Sequence, residues 1–330
     1  METITLKRIS QVLGLSISTV SRALKNHPDI SANTKKRVNE LAETLEYEPN
    51  MNAISLRSKT NRVFGLIVPT ISGFFYDSFI SAIEEECRAQ QYALMILQSG
   101  NDVEIEKNNL RICRQNRVAG LFVCLSTNTT DFYPFEKFKE AEIPLVFFDK
   151  VPESKAYNSI CIADAPAAII AAEWLIAKKK QNILALFGDS NLLISKTRAA
   201  AFQKITAPHK NITVHYQYCN SAEAAKKVSK LYFSKKQKPD ALFCMSDEIL
   251  IGAMKSLQIL EVDFANQVAV IGLSDGLLPT LYNPEITYVE TSGYKLGKLA
   301  FTKMIRCVNG AIEVEQLFTP SVLIKTNFKK

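Results

Sequence analysis

From Val63 onward, short continuous apolar runs alternate with helix-length stretches, and this alternation limits the fold more than any other feature. FGLIVP (64–69), ALMILQ (93–98), AGLFVCL (119–125), PLVFFD (144–149), SICIA (159–163), NILALFGD (182–189), VHYQYC (214–219), ALFCMSD (241–247) and VAVIGLSD (268–275) read as strands. Helical stretches separate them at 79–90, 104–115, 135–141, from Pro166 on, 195–205, 222–233 and 248–257, with a last one at 296–308. Strands that are apolar on both faces need helices on both faces, which calls for parallel sheets. So many units divide more naturally into two doubly wound lobes than into one sheet. The length of 330 residues also suits two or three domains.

The first sixty residues follow another pattern. In Thr5 to Leu24, TLKRISQVLGLSISTVSRAL, the residues Leu6, Ile9, Val12 and Leu13 recur at helical spacing. Gly14 can take the positive φ that ends a helix, and Ser16 is a good N-cap for a second one. Val20, Ala23 and Leu24 share one face of that second helix. Ile17, Ser18, Ser21, Arg22 and Lys25 share the other. This is the pattern of a helix-turn-helix, which lays its second helix in the DNA major groove; an ordinary helical hairpin is the plainer alternative. A third helix, capped by Ser31, runs to about Leu45 with Val38, Leu41, Ala42 and Leu45 inward. The segment from Pro49, PNMNAISLRSKTNR, is too short and polar to hold a helix alone. It reads as a linker that orders when it binds something.

Charge agrees with the helix-turn-helix. Residues 1–62 hold ten Lys or Arg against six acids, a net of +4 out of +7 for the whole chain. Such a concentration is the expected footprint of a phosphate-binding face. Hydrophobic content of 47% and charged content of 22% suit a soluble protein with a sizeable core. The seven Cys are odd in number, with no CxxC pair, and fit buried free thiols in a reducing cytosol. With three His and no ligand pairs at metal spacing, no metal site is expected, and no cofactor. METITLKRIS lacks an apolar signal core and no run reaches spanning length, so a cytoplasmic chain without membrane association is expected. No GxGxxG follows a strand, and GxxxxGK[ST] and GxSxG are missing, which argues against an enzyme.

ITLKRISQVLGLSISTVSRALKNHPDISANTKKRVNELAETLEYEPNMNAISLRS resembles the DNA-binding region of the lactose-repressor (LacI/GalR) family of bacterial transcription regulators. VFGLIVPTISGFFYDSF, IPLVFFDKV, CMSDEILIGAM and VAVIGLSD resemble that family's periplasmic-binding-protein-like effector domain. The resemblance spans essentially the whole chain. It implies an all-α helix-turn-helix headpiece (1–48), a hinge helix or linker (49–62) and an α/β effector and dimerisation domain (63–330). The lobes within that domain would be 63–160 with 292–320, and 161–291 with 321–330. Ile17, Ser18 and Arg22 would then read base edges, Arg22 as a bidentate contact to guanine. Thr5, Ser16, Thr19, Ser21, Asn26 and Asn50 would hold phosphates. Ala53 and Leu56 would enter the minor groove, Leu56 as a wedge that kinks the duplex; the alternative for Leu56 is a linker residue packed on the headpiece. One headpiece buries little surface, so the family reading implies a homodimer, or a tetramer, on a near-palindromic double-stranded operator.

Ligands of open α/β sheets sit beyond the carboxyl ends of the strands. Those ends carry Thr70 to Tyr76, Asp149, Asp189, Ser246-Asp247 and Ser274-Asp275. Phe75 and Tyr76 offer an aromatic platform, or else core packing. Arg198, opening RAAAF, resembles the family's segment whose Arg grips the effector. Asp149, Arg198, Ser246, Asp247, Ser274 and Asp275 complete the expected contacts. Departures from the family pattern stand at Ser246, Ser274, Thr291 and Lys179-Lys180. The family's commonest effectors are sugars and sugar acids, and Arg198 with few pocket carboxylates suggests an acidic one. The resemblance thus implies a small-molecule-responsive repressor; a sugar-binding protein with no regulatory role is the competing reading.

Overall fold

The structure, a computed structural model, describes residues 5–47 and 61–325. It divides into two compact units, 1–60 and 61–330.

In the first unit, α1 (Leu6–Leu13), α2 (Ile17–Leu24) and α3 (Ala32–Thr44) enclose Ile9, Val20, Ala23, Val38 and Ala42. Local chemistry sets each boundary. The Thr5 side chain accepts from the Arg8 amide, Ser16 from the Thr19 amide and Ser31 from the Thr34 amide, so every helix starts on a hydroxyl cap. Gly14 ends α1 at φ 64°, a conformation that glycine adopts without strain. Val12 is 53% exposed, contrary to its place in the apolar spacing. The partner helices cover only the face of α1 that carries Ile9.

The second unit contains two six-stranded sheets. The first comprises β1 (Val63–Val68), β2 (Ala93–Gln98), β3 (Gly120–Val123), β4 (Leu145–Phe148), β5 (Asn158–Ile162) and β11 (Gln316–Thr319). Their order is β11-β5-β4-β3-β1-β2 and every pair is parallel. Phe79, Ile83, Leu296 and Phe301 pack on one face, from α4 (Phe74–Ala89) and α12 (Gly293–Val308). Leu110, Cys113, Phe135 and Phe138 pack on the other, from α5 (Val103–Gln115) and α6 (Tyr133–Glu140).

The second sheet comprises β6 (Asn182–Phe187), β7 (Thr213–Tyr218), β8 (Ala241–Cys244), β9 (Ala269–Ser274), β10 (Thr287–Glu290) and β12 (Val322–Ile324). Its order is β12-β10-β9-β8-β6-β7. One core joins it to α7 (Asp164–Ala177), α8 (Leu193–Thr206), α9 (Ala222–Phe233) and α10 (Asp247–Ile259). β12 runs antiparallel to β10, a departure from the all-parallel expectation. β10, β11, β12 and the short α11 (Leu277–Thr280) were not legible as elements, being brief and poor in uninterrupted apolar runs.

The chain passes between the sheets three times, at 162–164, 290–293 and 319–322. The strands of both sheets, β12 apart, end toward the space between the lobes. α4 begins at Phe74, five residues before the expected start, because Gly73 (φ 140°) turns the chain directly into it. That early start brings Phe74, Phe75 and Tyr76 onto a helix beside this space.

Candidate ligand cleft and nucleic-acid interface

On α2 the capping hydroxyl is shared. Ser16 Oγ lies 2.7 Å from Ser18 Oγ and 2.8 Å from Thr19 Oγ1. Val20 and Ala23 are buried, which turns Ile17 (46% exposed), Ser18 and Arg22 outward. Thr19 and Ser21 are half-buried along the flanks. The Arg22 side chain makes no ion pair or hydrogen bond with another described residue, so its guanidinium fork is uncommitted. Thr5 is exposed and engaged as a cap. Asn26 is exposed at φ 54°, and its carbonyl accepts from Lys35 Nζ at 3.3 Å. Asn50, Ala53 and Leu56 lie outside the described residues.

Between the two sheets is a cleft of about 740 Å³. Of the eight expected contacts, Phe75, Tyr76, Asp149, Arg198, Ser246, Asp247 and Asp275 line it. Ser274 does not. It is fully buried, donates to Asp247 Oδ1 at 2.5 Å and accepts from the Gly276 amide at 3.0 Å. Since side chains alternate along a strand, the last residue of β9 points inward while Asp275 turns toward the cleft.

The polar side chains of the cleft are held by their neighbours. Tyr76 donates to Asp149 Oδ2 at 2.8 Å, while its ring packs edge-on to Phe75 with centroids 5.6 Å apart. Burial, and then the Asp149 carboxylate, push the Tyr76 hydroxyl well above its ordinary pKa, so it remains a donor. Asp149 takes φ 58°, a strained position for a residue other than glycine and one often tied to function. Arg198 is buried: Nε and Nη2 bind Asp164 Oδ1 at 2.9 and 2.7 Å, and Nη1 donates to the Met245 carbonyl at 2.8 Å. Burial raises the Asp164 pKa, against the opposing pull of Arg198. Asp247 accepts from Ser274 and from the Asp275 amide at 3.0 Å, and burial raises its pKa to about 6. Burial also raises Asp275.

The expectation of few pocket carboxylates is corrected. Asp149, Asp189, Asp247, Glu248 and Asp275 all line the cleft, against Arg198 and Lys150 as cations. Arg198 is already neutralised by Asp164, and Lys150 Nζ is held by Asn101 Oδ1 at 2.8 Å. The cleft is therefore an acidic, hydrogen-bonding cavity with an aromatic wall. Asn101, Thr127, Lys150, Asn220, Glu248 and Thr291 line it without having been foreseen as contacts. Asn101, Thr127 and Asn220 follow β2, β3 and β7, so extending the strand-end rule to every strand would have found them. Asp164 gave no signal in the sequence. Among the described residues no group of three or more metal-ligating side chains exists, and no helix is long and apolar enough to cross a membrane.

A capped helix pair with an uncommitted basic face, followed by two sheets flanking a polar cleft, defines a DNA-binding regulator with a ligand-sensing unit. Residues 5–50 match the family described as bacterial regulatory proteins, lacI family. Residues 61–330 match periplasmic binding proteins and the sugar binding domain of the LacI family. The chain belongs to the LacI family and is a ligand-responsive, DNA-binding transcription regulator. It is 25% identical over 333 residues to the HTH-type transcriptional repressor PurR of Vibrio atlanticus, covering 98% of each chain. It is 26% identical to the catabolite control protein A of Priestia megaterium, covering 93% of each. The lac repressor dimer bound to operator and the anti-inducer ONPF superposes with a TM-score of 0.85 at 21% identity over 98% of each chain. A LacI regulator from Alkaliphilus metalliredigens complexed with D-xylulofuranose gives 0.69 at 21% identity, covering 80% of this chain and 98% of that one.

Proposed function

We propose that this chain is a transcriptional repressor that binds a near-palindromic operator as a homodimer and is switched by an uncharged or amine-bearing polyhydroxylated ligand. Residues 1–48 form the headpiece, 49–62 the hinge, and 63–330 the effector and dimerisation domain. Ile17, Ser18 and Arg22 read bases, joined by Ala53 and Leu56 of the hinge. Thr5, Ser16, Thr19, Ser21, Asn26 and Asn50 hold phosphates. The protein works in the cytoplasm and catalyses no reaction. No His lines the cleft, and Asp149, Asp247, Asp275 and Arg198 are engaged in bonds that fix shape rather than poise a nucleophile.

The observation that carries the effector class is the set of five carboxylates facing one uncompensated lysine. A carboxylate on the ligand would be repelled there. Hydroxyls can donate to the acidic groups, and an amine would relieve them. Phe75 and Tyr76 suit the apolar face of a ring. Ligand seated across the cleft changes the relation of the two lobes and, through it, operator affinity, with reciprocal coupling between ligand and DNA.

A thermal-shift screen over matched neutral, amino and acidic sugars tests the effector class. Stabilisation by neutral or amine-bearing members is expected, and stabilisation by the acids alone overturns it. The DNA reading is tested separately by deleting the first sixty residues. Operator binding at moderate salt should vanish; if it persists, the headpiece assignment falls.

A further inference from the structure

A second charged surface lies at the opposite end of the β6–β10 sheet, where its strands begin. Three loops meet there. Lys178, Lys179 and Lys180 follow α7, Lys210 precedes β7, and Lys235, Lys236 and Lys238 follow α9. Hydrogen bonds hold the loops together. The Thr213 amide donates to the Gln181 carbonyl at 2.7 Å, and Asn182 Nδ2 donates to the Lys238 carbonyl at 2.9 Å. Asp240 accepts from the Gln181 and Asn182 amides at 3.0 and 2.9 Å.

Seven lysines against Asp240 give this rim +6, where the whole chain carries +7 and residues 1–62 carry +4. The remainder of the chain is therefore net acidic. None of these seven ammonium groups forms an ion pair with a described residue. Lys178 lies 5.6 Å from the Trp174 ring centroid and Lys235 lies 3.8 Å from that of Tyr232, so the aromatic faces nearby are already covered by cations. Helix C-termini favour cations, and α7, α8 and α9 all end here. Each terminus amounts to about −0.5 charge, so three of them offset about one and a half lysines. Most of the repulsion within the rim is uncompensated. The next loops along the sheet carry the acids Glu261, Asp263 and Glu285, the last lining one cavity with Lys178 and Lys180, so the net basic surface, about +5 with Glu285 counted, is strongest at the β7 edge.

We infer that this lysine rim is a second, sequence-independent binding surface for the phosphate backbone of duplex DNA. Every cation in it is a lysine, a mobile point charge suited to phosphates and poor at bidentate base reading. The apolar concavity that Lys178 and Lys180 share with Trp174, Phe264 and Ile286 lies on the β9–β10 side, away from Lys210 and Lys236, so an apolar anchor of a protein partner would leave the β7-edge lysines unmatched. Counterion release from a duplex supplies the driving force and makes the contact steeply salt-dependent. The inference stands apart from the effector assignment.

The test uses the full chain. Lysine acetylation is mapped with and without a non-operator duplex, at about 50 and about 200 mM salt. Lys179, Lys210 and Lys236 should be protected by DNA at the lower salt and recover at the higher. In parallel, the triple variant Lys179→Gln/Lys210→Gln/Lys236→Gln should make the dependence of log affinity on log salt shallower by about 3 for the non-operator duplex, while its melting temperature is unchanged. Protection together with the shallower slope supports the surface. Protection confined to residues 1–62, an unchanged slope, or protection by polyglutamate but not by DNA overturns it.

Discussion

Asp275, just past β9 of one sheet, accepts the backbone N–H of Gly293 at 2.5 Å, and Gly293 opens α12, which packs on the other sheet. Gly293 also permits the close packing of α12 on α4. A Cβ there would lie 2.3 Å from the Phe75 carbonyl oxygen and 2.6 Å from Ser78 Oγ. The Asp275 carboxylate is thus both a wall of the cleft and a latch between the lobes. A group that touches both ligand space and the crossing segment is well placed to convert binding into lobe movement.

Replacing Asp275 by Ala should therefore destabilise the effector unit by about 1.5–3 kcal/mol, the usual worth of a hydrogen bond to a charged group. Thermal unfolding should register a drop of several degrees. Asp275→Asn keeps one acceptor for the Gly293 amide and should lose less. A loss below about 0.5 kcal/mol in Asp275→Ala would show that the carboxylate is not what holds the lobes.

Asp164 is the counterpart behind Arg198. It neutralises Arg198 where the arginine is almost wholly enclosed. Removing one member of a buried pair strands the other charge and costs about 3–5 kcal/mol. Asp164→Ala should lose that much in urea unfolding, and Asp164→Asn less, since its amide oxygen still accepts from Arg198 Nε. An Asp164→Ala loss below about 1 kcal/mol would mean that water reaches the guanidinium freely.

The sequence exposed the architecture well because its signals are local. Continuous apolar runs such as NILALF mark buried strands, and hydroxyls at Ser16 and Ser31 mark helix starts, all of which hold in the structure, where Thr5 caps α1 in the same way. β12 was illegible because three half-exposed residues carry no periodicity, and its antiparallel pairing depends on a crossing distant in sequence. The cleft was legible wherever a strand-end residue turned toward it, as at Asp149 and Asp275. Asp164 was not, because its role depends on Arg198, 34 positions away. Ser274 was misplaced for want of one fact, the direction in which the last residue of β9 points.

Asp247 sets a pH dependence. Burial raises its pKa from 3.8 to about 6 in the folded state, so the folded protein binds this proton more tightly than the unfolded chain. Stability from this group is present below the unfolded pKa and falls as pH rises toward about 6, where the folded protein ionises too. Asp164 and Asp275, also raised by burial, add to the same slope. Asp247→Asn should flatten the fall in urea midpoint between about pH 4 and about pH 6. Its amide oxygen can keep the Asp275 amide bond, so the variant should fold. An unchanged slope would assign the effect to the other carboxylates.

Arg22 separates recognition from folding. Its side chain extends from α2 with no partner among the described residues, so Arg22→Ala removes nothing that the headpiece core uses. Stability should change by no more than about 0.5 kcal/mol, as for other exposed positions away from caps and pairs. Operator binding should lose about 1–3 kcal/mol at one base position of each half-site, with the preference relaxed there and kept elsewhere. A binding selection on randomised half-sites measures both effects. A uniform loss of affinity with every base preference intact would instead make Arg22 a phosphate contact, because phosphates position the protein without distinguishing sequences.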